Sequence, residues 1–256
     1  MKKVIWITGG SSGIGKAVAL KFANKGWQVI ISSRREEVLK DISDKNENID
    51  YLKLDIVDYE ACNSVFKTIV EKYNKVDICF FSTAIYEPEK EKDFDLQNII
   101  DVTNVNYIGT INCIKAVEKY YKEKRQGVIS IVSSTAGYRG LPNSTAYGPA
   151  KAALINLAES LYLDFQRYDV RVCLVSPGFI KTRLTDKNTF KMPFLKTTQY
   201  AAEQIYDGLI NKNSFEIAFP RSLFLILKFF KILPNGIYLY LIRKMTKLQK
   251  NFTRNS

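Results

Sequence analysis

Tyr147 and Lys151 stand four residues apart in Tyr147-Gly148-Pro149-Ala150-Lys151, a spacing that puts both side chains on one face of a helix. A helix accepts proline without a break only in its first turn, so Pro149 places Tyr147 at the helix start. A free tyrosine ionises near pH ~10, too high for ready proton exchange at neutrality. A neighbouring ammonium and the positive end of a helix both favour phenolate, so this pair is expected to lower that value. Ser134 lies thirteen residues before Tyr147, at the end of the apolar run Val128–Ser133, where its hydroxyl can donate to a carbonyl oxygen. The chain has no histidine, which removes imidazole bases, His-based triads and His-containing metal sites. Acid–base chemistry must use Tyr, Lys, Asp, Glu or Cys, and no metal is expected.

A second constellation lies at the N-terminus. Thr8-Gly9-Gly10-Ser11-Ser12-Gly13-Ile14-Gly15 joins a short apolar run to a helical pattern. Glycines at such a turn allow close backbone approach to a pyrophosphate, and the helix N-terminus offers free N–H groups to the phosphates. The next strand ends in Ser32-Ser33-Arg34-Arg35, without the carboxylate that commonly binds the ribose hydroxyls of NAD. A guanidinium binds a 2′-phosphate that a carboxylate would repel. NADP(H) is therefore the expected cofactor and NAD(H) the second choice, with Arg34 as the first phosphate ligand and Ser33 assisting.

Taken together these residues resemble the short-chain dehydrogenase/reductase family over about residues 1–220. The likeness rests on the Thr8…Gly15 loop, Asp55 after the third strand, Asn106, Ser134, Tyr147-x-x-x-Lys151 and Pro177-Gly178…Thr182. The resemblance implies that Tyr147 is the acid–base, that Lys151 lowers its pKa and binds the nicotinamide ribose, and that Ser134 positions the carbonyl. It implies that Asn106 holds a water in a proton relay to Lys151 and that Asp55 contacts adenine. Pro177, Gly178, Ile180 and Thr182 would hold the nicotinamide end, and Ala84 is also expected to bind the cofactor. One departure stands out: the family's Asn-Asn-Ala-Gly stretch reads Ser82-Thr83-Ala84-Ile85 here. Ile85 adds a β-branched side chain where the backbone runs close to the cofactor, so looser binding or an altered local backbone is expected. The implied reaction is hydride transfer between a nicotinamide and a small-molecule carbonyl or secondary alcohol, with Tyr147 supplying the proton.

Strand-like and helix-like segments alternate in the order such a site requires. Strands are expected at Lys3–Ile7, Gln28–Ser32, Tyr51–Leu54, Asp77–Ser82, Gly127–Ser133, Arg171–Ser176 and Phe215–Phe219. Helices are expected at Ile14–Lys25, Glu36–Ser43, Ala61–Tyr73, Leu96–Lys124, Tyr147–Tyr168 and Thr198–Lys212. Several strands are continuously apolar, as in a parallel sheet covered on both faces. The βαβα order predicts an α/β, Rossmann-type doubly wound sheet, with residues 1–220 as one catalytic domain. The polar stretch 183–197 reads as a loop, with Arg183–Lys196 as a substrate lid.

The 256 residues include 46% apolar and 25% charged residues, the balance of a folded globule rather than a disordered chain. Cys62, Cys79, Cys113 and Cys173 are widely spaced and read as buried reduced thiols. The apolar run after Lys2-Lys3 is too short for a signal-peptide core, so folding is expected from residue 1, in the cytoplasm.

The net charge of +12 is uneven: Arg221–Ser256 holds eight Lys or Arg and no Asp or Glu, which leaves 30 basic against 26 acidic residues before it. This 221–256 tail is expected to form two short amphipathic helices split by Pro234-Asn235-Gly236. Neither is long enough to span a bilayer. Residues 221–250 could instead lie on an anionic membrane surface, on the inner face, or pack against the domain or another subunit. Nucleic acid is not expected, because the basic residues alternate with aliphatics and no recognition motif appears.

Three functions compete. The leading one is an NADP(H)-dependent carbonyl reductase or alcohol dehydrogenase, with a hydrophobic or lipid-like substrate if the tail meets membrane. The second is a non-catalytic NADP(H)-binding regulator or scaffold recruited through the tail. A sugar-nucleotide epimerase or dehydratase is the third, and it would need a longer substrate domain. The family likeness further suggests a homo-oligomer, a dimer or tetramer.

Overall fold

A computed structural model describes residues 1–88, 94–188 and 192–246. Seven parallel strands form its sheet: β1 (Val4–Thr8), β2 (Gln28–Ser33), β3 (Ile49–Lys53), β4 (Ile78–Phe81), β5 (Val128–Val132), β6 (Arg171–Pro177) and β7 (Glu216–Phe219), in the order β3-β2-β1-β4-β5-β6-β7. All five residues of β1 and all four of β4 are buried. Both faces must therefore be covered, and the helices do this in two layers.

Ile5 and Ile7 of β1 point into a core with Val18, Phe22 and Ile205, from α1 (Gly13–Asn24) and α7 (Thr198–Ile210). The side chain of Leu39 from α2 (Glu36–Asp44) joins them. Val4 and Trp6 point the other way, toward Phe66 of α3 (Tyr59–Tyr73), Val117 and Tyr121 of α5 (Gly109–Lys124), and Leu154 of α6 (Tyr147–Phe165). Alternate residues of one strand thus feed opposite cores. All four cysteines are buried and unbridged, with the Cys62 and Cys113 sulfurs 3.8 Å apart.

The expected single helix over Leu96–Lys124 is interrupted. It consists of α4 (Leu96–Thr103), a π-helical turn over Asn104–Ile108, and α5. One extra residue per turn shifts the facing of the side chains, and such turns commonly sit at functional sites. The expected loop 183–197 contains a short 3₁₀ turn at Thr185–Lys187, and Ile180 bridges Lys196. Part of the expected lid, residues 189–191, lies outside the described residues.

After β7 come α8 (Arg221–Ile232) and α9 (Asn235–Met245), joined at Leu233–Pro234 as an open hairpin in which the Phe230 ring meets Tyr238. Leu223 packs where Gly178 leaves space, since a Cβ on Gly178 would come within 2.6 Å of it. Lys228 pairs with Glu216 at 2.8 Å. The Arg139 guanidinium donates to the carbonyl oxygens of Phe230, Lys231 and Leu233 and to Asn235 Oδ1, so it satisfies the C-terminal end of α8. It also lies 4.1 Å from the Tyr238 ring centroid, and Tyr238 donates to the Gly140 carbonyl at 2.6 Å. The predicted basic residues Lys247, Lys250 and Arg254 lie outside the described residues.

Candidate active site

The order of the strands reverses between β1 and β4, so their crossover connections diverge at the C-terminal ends. A cleft of about 390 Å³ opens there. Its wall is built by the segments after each of β1 to β6 and by the start of α6.

At one end lies the glycine turn. Gly9 and Gly13 adopt φ of +74° and +56°, which side-chain-bearing residues rarely take. A Cβ on Gly9 would lie 2.8 Å from the Thr83 backbone nitrogen. Ser12 occupies the N-cap of α1 without a side-chain cap bond, and the first turn contains no acidic residue. The exposed N–H groups and positive helix end are left for an anion. Above this turn, Arg35 Nη2 donates to Ser11 Oγ and Ser12 Oγ, both at 2.7 Å. Arg34 also lines the cleft, with Nη1 3.9 Å from Asp55 Oδ2, and both groups are largely exposed. Two guanidinium groups therefore border the pyrophosphate-sized turn. Arg35 was not anticipated, although its position in Ser33-Arg34-Arg35 carried the signal.

Tyr147, Ser134 and Lys151 meet at the other end. Tyr147 keeps part of its surface open to the cleft, with the Ser134 side chain near enough to favour its phenolate. Ser134 Oγ accepts from the Ala136 N–H at 3.1 Å and reaches the Pro177 carbonyl at 3.4 Å. These bonds hold the hydroxyl beside the Pro177-Gly178 turn. Lys151 is 1% exposed, donates to the Val132 carbonyl at 3.0 Å, and sits with Nζ 5.5 Å from the Tyr147 ring centroid. The Tyr86 ring packs edge-on against Tyr147 with centroids 5.1 Å apart, and Tyr86 donates to Asn188 Oδ1 at 2.8 Å. Tyr86 was also unforeseen, since nothing in its spacing linked it to residue 147.

The expected lowering of the Tyr147 pKa is corrected by the structure. The surrounding protein pushes it up to about 12, because burial penalises the phenolate more than the Ser134 bond favours it. Burial likewise pushes Lys151 down to about 7. At neutral pH the lysine is therefore only partly protonated, which weakens but does not remove the charge that was to stabilise phenolate.

Among the other expected residues, Ser11, Ile14, Gly15, Ser33, Asp55, Ala84, Pro177, Gly178, Ile180 and Thr182 line the cleft, while Thr8 and Asn106 do not. Thr8 is 1% exposed, with its hydroxyl unpaired. Asn106 is fully buried in the π turn; its Oδ1 accepts from the Ile85 N–H at 2.8 Å and its Nδ2 donates to the Ile85 carbonyl at 3.0 Å. That amide is committed to the backbone. Ile85 itself does not take a left-handed conformation, and its side chain, like that of Ile99, packs against the buried cluster of Val102, Ala146 and Ala150. The substituted position is thus held by two hydrogen bonds and an apolar cluster rather than left loose.

These features fit a nicotinamide dinucleotide: the glycines leave backbone room, the start of α1 is uncapped and the adenine end is cationic. Comparison with known proteins points the same way. The short chain dehydrogenase family profile matches residues 3–192. An uncharacterized oxidoreductase of Myxococcus xanthus is 30% identical over 236 residues, covering 91% of this chain and 93% of that protein. The 3-oxoacyl-[acyl-carrier-protein] reductase FabG of Thermotoga maritima is 34% identical over 194 residues, covering 72% and 77%. Among solved structures, ElxO with NADP bound aligns with a TM-score of 0.78 at 31% identity, over 85% of this chain and 98% of ElxO.

Proposed function

The chain belongs to the short-chain dehydrogenase/reductase family and is an oxidoreductase of that family, and on that premise we propose that it interconverts a hydrophobic carbonyl and its secondary alcohol with NADP(H). The observation that carries this reading is the meeting of Tyr147, Ser134 and Lys151 at the opposite end of one cleft from the uncapped start of α1. A bound reduced nicotinamide supplies the hydride, and the protein supplies orientation and the proton.

Ser134, held beside Pro177, would donate to the carbonyl oxygen. Tyr147, protonated throughout the neutral range by its raised pKa, is in the form needed to give a proton to that oxygen. Lys151 occupies the same helix face, where its ammonium would favour the phenolate left behind. Asn106 acts at one remove: by fixing Ile85 it holds the wall of the cleft beside Ala146 and Ala150.

Arg34 and Arg35 support NADP(H) over NAD(H), since both could meet a 2′-phosphate while no carboxylate replaces them at the end of β2. NADP in the ElxO structure agrees with that preference. Ile85 and the Tyr86 ring beside Tyr147 favour an apolar substrate, and the acyl reductase among the relatives suits a ketone on an aliphatic chain. The test is NADPH consumption with a panel of aliphatic ketones and 3-oxoacyl thioesters, compared with NADH. Turnover of one apolar carbonyl with NADPH preferred supports the reading. Binding of NADPH without turnover of any carbonyl or alcohol opposes it.

A further inference from the structure

The outer surface of the α8–α9 hairpin has no counterpart in the catalytic cleft. On α8, Leu223 and Lys228 face the domain, yet the opposite face is also apolar: Leu225, Ile226, Phe229 and Ile232 are exposed, Phe229 at 56% and Ile232 at 77%. On α9, Tyr238 and Ile242 are buried while Ile237, Leu239 and Tyr240 are exposed. A helix that is apolar all round is normally covered on all sides. Here one side is covered by the domain, and the outer side calls for a partner.

Charge indicates which partner. From Arg221 to Ser256 the chain carries eight basic residues and no acidic one. Lys228 is neutralised by Glu216, whereas Lys244 is exposed on the face of Ile237 and Tyr240, seven and four residues before it, and Lys231 is exposed at the C-terminal end of α8. A second copy meeting this face about a two-fold axis would bring basic residues against basic residues with no carboxylate between them. An anionic lipid surface supplies both needs, acyl chains for the aliphatics and negative headgroups for the lysines. No described helix is long and apolar enough to cross a membrane, which leaves a surface contact as the mode.

We propose that the outer face of α8–α9 docks the protein on anionic membrane surfaces. The hairpin is clamped to Tyr138–Gly140, the segment between Ser134 and Tyr147, by Arg139 and by the Gly140 carbonyl. Docking therefore fixes the domain's orientation on the bilayer without relying on catalysis.

The test is co-sedimentation of the full chain with sucrose-loaded phosphatidylcholine vesicles, with and without one-quarter phosphatidylglycerol. Expected is binding to the anionic vesicles, weakened by salt, and at least roughly tenfold weaker partition of the Phe229→Ser/Ile232→Ser double variant. Lys244→Glu, which leaves the apolar face intact, should also weaken it. Light scattering on the same samples reports oligomeric state. The proposal is overturned if the wild-type chain stays in the supernatant, or if the variants bind as well as wild type. It is equally overturned if the double variant splits a dimer into monomers while vesicle binding is unchanged, which would assign the face to a second copy.

Discussion

The side-chain nitrogen of Lys151 donates to the main-chain oxygen of Val132 at 3.0 Å. A nearly inaccessible lysine is thereby held by a neutral acceptor, and its pKa falls to about 7 from an ordinary 10.5. Below about pH 7 the side chain is protonated both folded and unfolded, and the folded state bears the full cost of a buried charge. As pH rises further the folded protein releases this proton while the unfolded chain keeps it, so stability rises with pH. Between about pH 7 and 9 the gain is roughly 2 kcal/mol, at about 1.4 kcal/mol per unit. Above that range Cys79 and Cys173, pushed up to about 12 and about 11, and Cys113, raised well above its ordinary value, together reverse the trend, because the unfolded thiols ionise first. Urea denaturation without nucleotide should show the rise, and Lys151→Met should abolish it while stabilising the protein near pH 6.

Arg35 should decide between the two dinucleotides. Losing a charge-assisted bond to a 2′-phosphate costs about 1.5–3 kcal/mol. Arg35→Ala is expected to weaken NADPH binding by roughly ten- to a hundredfold and to leave NADH binding within about threefold. Arg34→Ala should have the same sign, and the relative size of the two effects ranks them. Nicotinamide fluorescence titrations measure both. Equal losses for NADPH and NADH would show that Arg35 merely props the Ser11-Ser12 turn.

Asn106 should matter to the fold as much as to turnover. Asn106→Ala leaves the Ile85 N–H and carbonyl without their partners, a loss of about 2–4 kcal/mol for two buried bonds. In a chain of this size that lowers Tm by roughly 5–10 °C. Thermal unfolding followed by circular dichroism checks it, and an unchanged Tm would mean that Ile85 finds other partners.

Arg139 holds the hairpin in place through three carbonyls at the end of α8 and through Tyr238. Arg139→Ala should increase local opening of α8 and α9, giving at least tenfold faster tryptic cleavage after Lys228, Lys231 or Arg243, with cleavage in α6 unchanged. Mass spectrometry of limited digests identifies the sites. Uniform acceleration along the chain would instead indicate global destabilisation.

The sheet and most of the cleft were legible because their signals are local. Strand hydrophobicity, the Gly9–Gly15 turn and the Tyr147–Lys151 spacing each lie within a few residues. The π turn was not legible, because it accompanies an amide bonded to Ile85, 21 residues away. Arg35 could not be distinguished from Arg34 without seeing Ser11 and Ser12 fold back beside it. The pKa reasoning failed for a related reason: spacing showed the lysine's proximity to Tyr147, whereas the desolvation that dominates both groups arises only once the surrounding elements are packed. The Arg139 clamp joins segments more than 90 residues apart, beyond the reach of any periodicity.

A proton from Tyr147, in a cleft that otherwise serves to bind nucleotide, is the centre of the proposed reaction. This role is tested most directly by measuring, on one preparation of Tyr147→Phe, both NADPH affinity and turnover of whichever carbonyl the wild type reduces. The expected result is NADPH affinity within about threefold of wild type and turnover reduced by roughly 10²–10⁴, the range for loss of a general acid. Turnover within tenfold of wild type would contradict the claim and move the proton donor elsewhere in the cleft.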